Sequence, residues 1–267
     1  MANSDLAGWK ILITRPRDQA QQLAQNIGKA GGIPLLFPLL KITPVPDAQV
    51  LQEQVSRLGL ANLTIFISPN AVQYGMEAIA AGGVLPLPKS LKIATVGQGS
   101  AQALRALGVS DVMVPDERFD SEGLLAMPEL QHVQDWRVMI FRGEGGRELL
   151  GNTLKARGAT IEYVTCYCRS QAQQQTAAEL FNAHVITVTS SEALKYLWQM
   201  AGESGQARLR QTPLFVPHPR IAELACQQGW VKVHLTDAGD DGLLCGLMTW
   251  ARDKNAGFEG KEQGHER

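Results

Sequence analysis

The segment of this 267-residue chain best equipped for chemistry is Arg142-Gly143-Glu144-Gly145-Gly146-Arg147, placed directly after the apolar run Val138 to Phe141. Glycines let backbone approach a ligand closely, and guanidinium groups fork onto carboxylate or phosphate oxygens. Arg142, Gly143, Gly145 and Arg147 are therefore candidates for holding an anion. The segment lacks the G-K-[ST] ending of a P-loop and the G-x-G-x-x-G of a dinucleotide site, which disfavours nucleotides. A plainer reading makes the glycines a tight strand-to-helix turn and pairs Arg147 with Glu148 or Glu144.

Other short segments have the same potential. Ser68-Pro69-Asn70, Gly97-Gln98-Gly99-Ser100 and Ser190-Ser191-Glu192 each follow a strand-like run and precede a helix-like stretch, and Pro217-His218-Pro219-Arg220 occupies the corresponding place late in the chain. Backbone N–H groups at a helix start have no partner within the helix and attract anions. Ser68, Asn70, Gly97, Ser100, Ser190, Ser191, Pro217 and Arg220 are thus candidate ligand contacts, as is Arg15 in Thr14-Arg15-Pro16. Helix capping alone explains Ser or Asn at any one of these loops. Neither zinc nor a disulfide framework is signalled, because Cys166, Cys168, Cys226 and Cys245 form no C-x-x-C pair and His132, His184, His218, His234 and His265 are scattered. Cys166 and Cys168 alternate with Tyr167 along a strand-like run and read as partly buried free thiols. No metal is expected.

The elements that must position these loops are short β-rich runs alternating with helix-like stretches such as Gln19 to Ala30, Ala71 to Ala81, Ser100 to Leu107, Arg147 to Arg157, Glu192 to Met200 and Ile221 to Gln228. That alternation is the signature of parallel sheets covered by helices on both faces. It also occurs twice. Ile11 to Arg15 recurs as Met139 to Arg142, Ile65 to Val72 as Thr187 to Leu194, and Ile93 to Gly97 as Leu214 to Pro217. The trailer Asp120-Ser121-Glu122-Gly123-Leu124-Leu125 recurs as Asp240-Asp241-Gly242-Leu243-Leu244. A period this long exceeds the ~20–50 residues of solenoid repeats and fits two similar α/β domains with a cleft between them. Two regions break the pattern, Pro34 to Pro46 and Thr165 to Ser170, and their extended character suits inter-domain connections. The polar stretch from Asp253 to Arg267 reads as a disordered tail.

A hydrophobic content of 45% supplies a core for each domain, and a formal charge of −1 leaves no basic surplus for nucleic acid or an anionic membrane. No apolar run reaches the ~18 residues of a membrane span, and the start Met-Ala-Asn-Ser-Asp has no signal-like region. A cytoplasmic protein with a small-molecule partner is expected.

Taken in order, Ile13-Thr14-Arg15-Pro16, Ser68-Pro69-Asn70-Ala71-Val72, Ala94-Thr95-Val96-Gly97 with Ser100-Ala101, Phe141 to Leu149, Leu154-x-x-x-Gly158-Ala159, Cys166-Tyr167-x-Arg169 and Val188-Thr189-Ser190 resemble the uroporphyrinogen-III synthase family. The resemblance covers about Lys10 to Trp250. Two departures stand out: Ser100 replaces a threonine common in the third unit, and the second copy of that unit reads Val216-Pro217-His218-Pro219-Arg220 without its glycine. The resemblance implies two doubly wound, flavodoxin-like parallel-sheet domains that are interleaved, residues 1–38 with 171–252 and residues 41–166, joined by the two extended connections. It implies a monomer without cofactor. The implied reaction closes linear hydroxymethylbilane, a tetrapyrrole polycarboxylate, to uroporphyrinogen III, losing water and inverting the last ring through a spiro-pyrrolenine. Backbone N–H groups and arginines would hold the carboxylates. Tyr167 would assist departure of the hydroxyl, since a phenol ionises only near pH ~10 and keeps its proton at neutrality. The competing reading is a two-lobed, non-catalytic binding protein for a small anion.

Overall fold

The computed structural model describes residues 5–172 and 180–262. The chain divides into two compact units, Met1–Lys41 with Ser170–Arg267, and Ile42–Arg169. Among the described residues ten strands form two five-stranded sheets.

The first unit contains β1 (Lys10–Ile13), β2 (Ile33–Leu36), β8 (Val185–Thr187), β9 (Leu214–Val216) and β10 (Val233–Leu235), in spatial order β10-β9-β8-β1-β2. Its pairs are parallel. Renumbered by appearance along the chain, that order is the 2-1-3-4-5 of flavodoxin-like sheets, which reverses direction between β1 and β8. The second unit carries β3 (Leu40–Pro44), β4 (Leu63–Phe66), β5 (Lys92–Thr95), β6 (Arg137–Gly143) and β7 (Thr160–Gln171), in the order β3-β7-β6-β4-β5. Here β7-β6-β4-β5 repeats β2-β1-β8-β9. The sequence repeat is therefore a repeat of strand order, and the second sheet reverses between β6 and β4.

Every central strand is buried on both faces, with side chains alternating between two cores. In the second unit Leu63, Ile65, Val138 and Ile140 face one cluster, while Phe66, Met139 and Phe141 face the other, with Phe66 stacked on Phe141 at 4.8 Å. In the first unit Ile11, Ile13, Val185 and Phe215 divide in the same way from Leu12, Ile186, Leu214 and Val216. Helices cover both faces because their apolar residues recur at helical spacing, as with Ala20, Leu23 and Ile27 in Arg17–Lys29. The trailer keeps its glycine for a steric reason: a Cβ on Gly123 would lie 1.8 Å from the Arg118 carbonyl oxygen, and one on Gly242 would lie 2.3 Å from that of Asp237.

The two extended connections carry the chain between the units, whose boundaries fall at 41/42 and 169/170, and they are themselves hydrogen-bonded strands: Pro34 lies in β2, Leu40–Pro44 is β3, and residues 165–170 belong to β7, the neighbour of β3. Their prolines are tolerated because β2 and β3 are edge strands, where a missing N–H costs no ladder bond. The last helix runs Gly239–Glu262, so helical backbone occupies most of the stretch expected to be a disordered tail, and residues 263–267 lie outside the described residues. Its early turns are fixed by Leu243, Leu247 and Ala251, all buried against the first sheet.

Candidate active site

In the second unit, the loops singled out by sequence all lie at the carboxyl ends of adjacent strands, around the point where strand order reverses. That is where open parallel sheets bind ligands. After β4, Ser68 caps the helix Pro69–Ala81, its Oγ accepting from the Ala71 N–H at 3.0 Å, and Asn70 lies in the first turn. After β5, Gly97 precedes the helix Gln98–Ala106 without any side-chain cap. The Ser100 side chain there is buried at 3% exposure, so it packs inward instead of lining the surface. A Cβ on Gly99 would sit 3.8 Å from Pro69, which places the two loops side by side.

The glycine-arginine segment after β6 is less open than its composition suggests. Arg142 is 6% exposed; its guanidinium donates to the Gly145 carbonyl and lies 4.8 Å above the Tyr163 ring. It supports the loop from beneath. Gly145 and Gly146 both adopt positive φ, the conformation that lets the chain turn back over that guanidinium. Arg147 is paired with Glu122 at 2.7 Å and not with Glu144 or Glu148, and this contact holds the Glu122 carboxyl below the usual carboxylate range. The helix that follows is Leu149–Ala156, starting two residues later than the sequence pattern suggests.

Tyr167, on β7, is fully buried. Its ring stacks on Tyr74 at 5.9 Å and fills the space that a side chain on Gly143 would need, with Cε2 only 2.5 Å from the ideal Cβ position. Gly143 therefore serves Tyr167 in addition to any ligand. The hydroxyl lies 3.1 Å from Ser68 Oγ and accepts from Arg169 Nη2 at 2.9 Å. Next to it Cys166 is buried, which pushes its thiol up to about 12, while Cys168 is partly exposed.

In the first unit the same strand ends carry Arg15, Ser190, Ser191, Pro217 and Arg220. Arg15 is ion-paired with Asp240 in the first turn of the last helix. Ser190 caps the helix Ser191–Gln211 by accepting from the Ala193 N–H at 3.0 Å, and the buried Ser191 hydroxyl oxygen has no hydrogen-bond partner among the described residues. In the divergent third loop, His218 takes over the cap: its Nδ1 accepts from the Arg220 N–H at 3.2 Å, Pro219 occupies the first turn, and Arg220 is exposed. Imidazole replaces the open glycine turn of the other copy.

The chain matches the family described as Uroporphyrinogen-III synthase HemD over residues 21–242, a span that contains every candidate residue except Arg15. The chain belongs to the uroporphyrinogen-III synthase family. It is 31% identical to the uroporphyrinogen-III synthase of Escherichia coli (strain K12) over 245 residues, 89% of this chain and 99% of that one. It is also 31% identical to that of Synechococcus elongatus over 265 residues, 94% and 99% of the two chains. In fold it resembles a mutant uroporphyrinogen III synthase from the extremely thermophilic bacterium Thermus thermophilus, with a TM-score of 0.67 at 20% identity, covering 93% of this chain and 100% of that one. Family membership assigns a hydro-lyase of tetrapyrrole biosynthesis and displaces the reading as a binding protein without chemistry.

Set within that family, two features of the site escape a reading by local motif. One is the use of Arg15 and Arg147, both candidate anion contacts, in ion pairs with acids of the repeated trailer, Asp240 and Glu122. The other is Arg169, which the motif Cys166-Tyr167-x-Arg169 names without giving it a partner. It stands two residues after Tyr167 on a strand, and period-two alternation puts the two side chains on one face. That spacing was the available signal. Among the described residues no group of His, Cys, Asp and Glu is gathered as a metal site, and no helix is long and apolar enough to cross a membrane.

Proposed function

We propose that the chain converts hydroxymethylbilane into uroporphyrinogen III, with loss of water and inversion of the last pyrrole ring. The family match across residues 21–242 carries this reading. Departure of the hydroxyl as water, taking the C–O electron pair and a proton from the protein, leaves an azafulvenium cation that is attacked by the substituted carbon of the terminal ring. The resulting protonated spiro-pyrrolenine breaks that carbon's bond to its original methylene bridge, and the ring re-closes turned over through its unsubstituted α-carbon. Free in solution, the same intermediate closes without inversion, so the protein's task is chiefly to hold reacting carbons in one geometry, an effect worth up to ~7–11 kcal/mol.

In this reading, backbone N–H donors at the strand ends of each unit, after β4, β5 and β6 in one and after β1, β8 and β9 in the other, are binding points for acetate and propionate groups. Arg15 and Arg147 add charge by exchanging their internal carboxylates for those of the substrate. Tyr167 supplies the proton that leaves with the hydroxyl. Because Tyr167 has no exposed surface, in this reading its proton reaches the departing oxygen by way of Ser68, whose Oγ lies 3.1 Å from the phenolic oxygen. The phenolate regains a proton when the inverted ring loses hydrogen from its newly joined carbon and becomes aromatic again. The test is to supply hydroxymethylbilane and determine the isomer ratio of the cyclised product: type III is expected, and type I alone would exclude the activity. Tyr167→Phe should slow type III formation ten-fold or more, about 1.4 kcal/mol, with an unchanged fold, and an undiminished rate would remove Tyr167 from the mechanism.

A further inference from the structure

We infer that Arg169 is a positioning residue for this reaction, fixing the direction of the hydrogen bonds around Tyr167 and stabilising the oxygen that gives up its proton. The inference rests on the reading of Tyr167 as proton donor. It follows from which groups can donate. A guanidinium has N–H donors and no acceptor, so in the 2.9 Å contact between Arg169 Nη2 and the Tyr167 hydroxyl the phenolic oxygen must accept. The phenolic hydrogen is then left for the other neighbour, Ser68 Oγ at 3.1 Å. Ser68 Oγ already accepts from the Ala71 N–H at 3.0 Å, so with both of its acceptor positions engaged its own hydrogen points away from the network. The chain of bonds therefore runs one way, from Arg169 through Tyr167 to Ser68. Ser68 is only partly buried, and it starts a helix at the reversal point of the sheet.

Charge supports the same assignment. When the proton passes along this chain to the departing oxygen, water leaves and a negative charge remains on the phenolic oxygen. The Arg169 guanidinium is in direct contact with that oxygen, and its carbon lies 5.3 Å from the ring centroid. The N-terminus of the helix Pro69–Ala81 reaches the same oxygen through Ser68. A preorganised cation aimed at developing charge, in a site where Tyr167 has no contact with water, needs no rearrangement as the proton moves. Tyr74 stacks on the Tyr167 ring, and Gly143 has no side chain to offer a charge.

The experiment compares kcat and KM for type III formation in Arg169→Met, Arg169→Lys, Tyr167→Phe and the double variant Arg169→Met/Tyr167→Phe, with thermal melting as the check on folding. Arg169→Met should lower kcat ten-fold or more while KM stays within about two-fold, since the residue acts on the departing oxygen through Tyr167. Arg169→Lys, which keeps a positive donor and covers the case of an unstable methionine variant, should fall between Arg169→Met and the parent. In the Tyr167→Phe background, Arg169→Met should cost no further rate, because the group it positions is gone. Losses that multiply in the double variant, a lysine variant no faster than the methionine one, or an unchanged kcat in Arg169→Met would each overturn the inference. An unchanged rate in Tyr167→Phe would instead sink the reading of Tyr167 on which it rests.

Discussion

Gly143→Ala is the sharpest structural test, because one added methyl group meets the one ring on which the proposed chemistry depends. An ideal Cβ at Gly143 lies 2.5 Å from Tyr167 Cε2, 2.6 Å from Cζ and 3.0 Å from the hydroxyl oxygen. Comfortable carbon–carbon contact begins near ~3.5 Å, so the ring must retreat by roughly 1 Å. Tyr74 stacks against it at 5.9 Å, and the hydroxyl is held by Ser68 and Arg169. A shift of that size is enough to break the 3.1 Å bond to Ser68. Overpacking of a filled site costs about 1–3 kcal/mol of stability, and a ~1 Å misplacement of a reacting group costs on the order of 10²-fold in rate. The variant should therefore melt lower and make type III product about a hundred-fold more slowly, measured by urea denaturation and by the isomer ratio of cyclised product. Combining it with Tyr167→Phe separates the two effects: the stability loss should remain, since the ring is still there, while the rate should drop no further than in Tyr167→Phe alone. A Gly143→Ala protein with parental stability and parental type III rate would refute the claim that this glycine makes room for Tyr167.

Further outcomes are expected elsewhere. Glu122→Gln should release Arg147 from its 2.7 Å pair and lower KM for the anionic substrate, more so at low salt, while stability changes by less than ~1 kcal/mol as for other surface pairs; an unchanged or raised KM would make Arg147 structural. His234, stacked on Phe215 at 4.5 Å, has its pKa lowered by burial and then by Lys254. Its neutral form is favoured in the fold, so as pH falls through the unfolded value near ~6.5 the unfolded chain gains a proton that the folded one resists. Stability should decline there and level off once the folded histidine is also protonated. His234→Gln should flatten that decline in urea unfolding as pH is lowered through that range, and an identical pH dependence would exclude His234 as its source.

Much of the fold is legible in the chain because it rests on local periodicity. Runs such as Leu63 to Phe66 and Val138 to Phe141 are buried throughout, as strands covered on both faces must be, and the glycine and serine loops that follow them mark the starts of helices. The repeat carries strand order with it, so the sheet ends where Ser68, Gly97, Arg142 and Ser190 sit follow from pattern alone. The extended stretches around Pro34 to Pro46 and Thr165 to Ser170 were also visible as non-helical, but their pairing as β3 and β7 was not. Nor was the helix through Glu262, whose early turns are held by burial of Leu243, Leu247 and Ala251 against strands distant in sequence.

The site divides along the same line. Sequence alone determined which residues stand at the strand ends and which of them carry charge or a hydroxyl, since both follow from residue type and from a period of about two or about 3.6. Only the tertiary structure decided how those groups are engaged. It tied Arg15 to Asp240 across 225 residues and Arg147 to Glu122, folded Arg142 beneath its own loop, and set the Tyr167 hydroxyl between Arg169 and a serine 99 positions away. The physical reason is that strand and helix formation are repaid within a few residues. A charged or hydroxyl side chain, by contrast, takes whichever partner the packed sheet brings within about 3 Å.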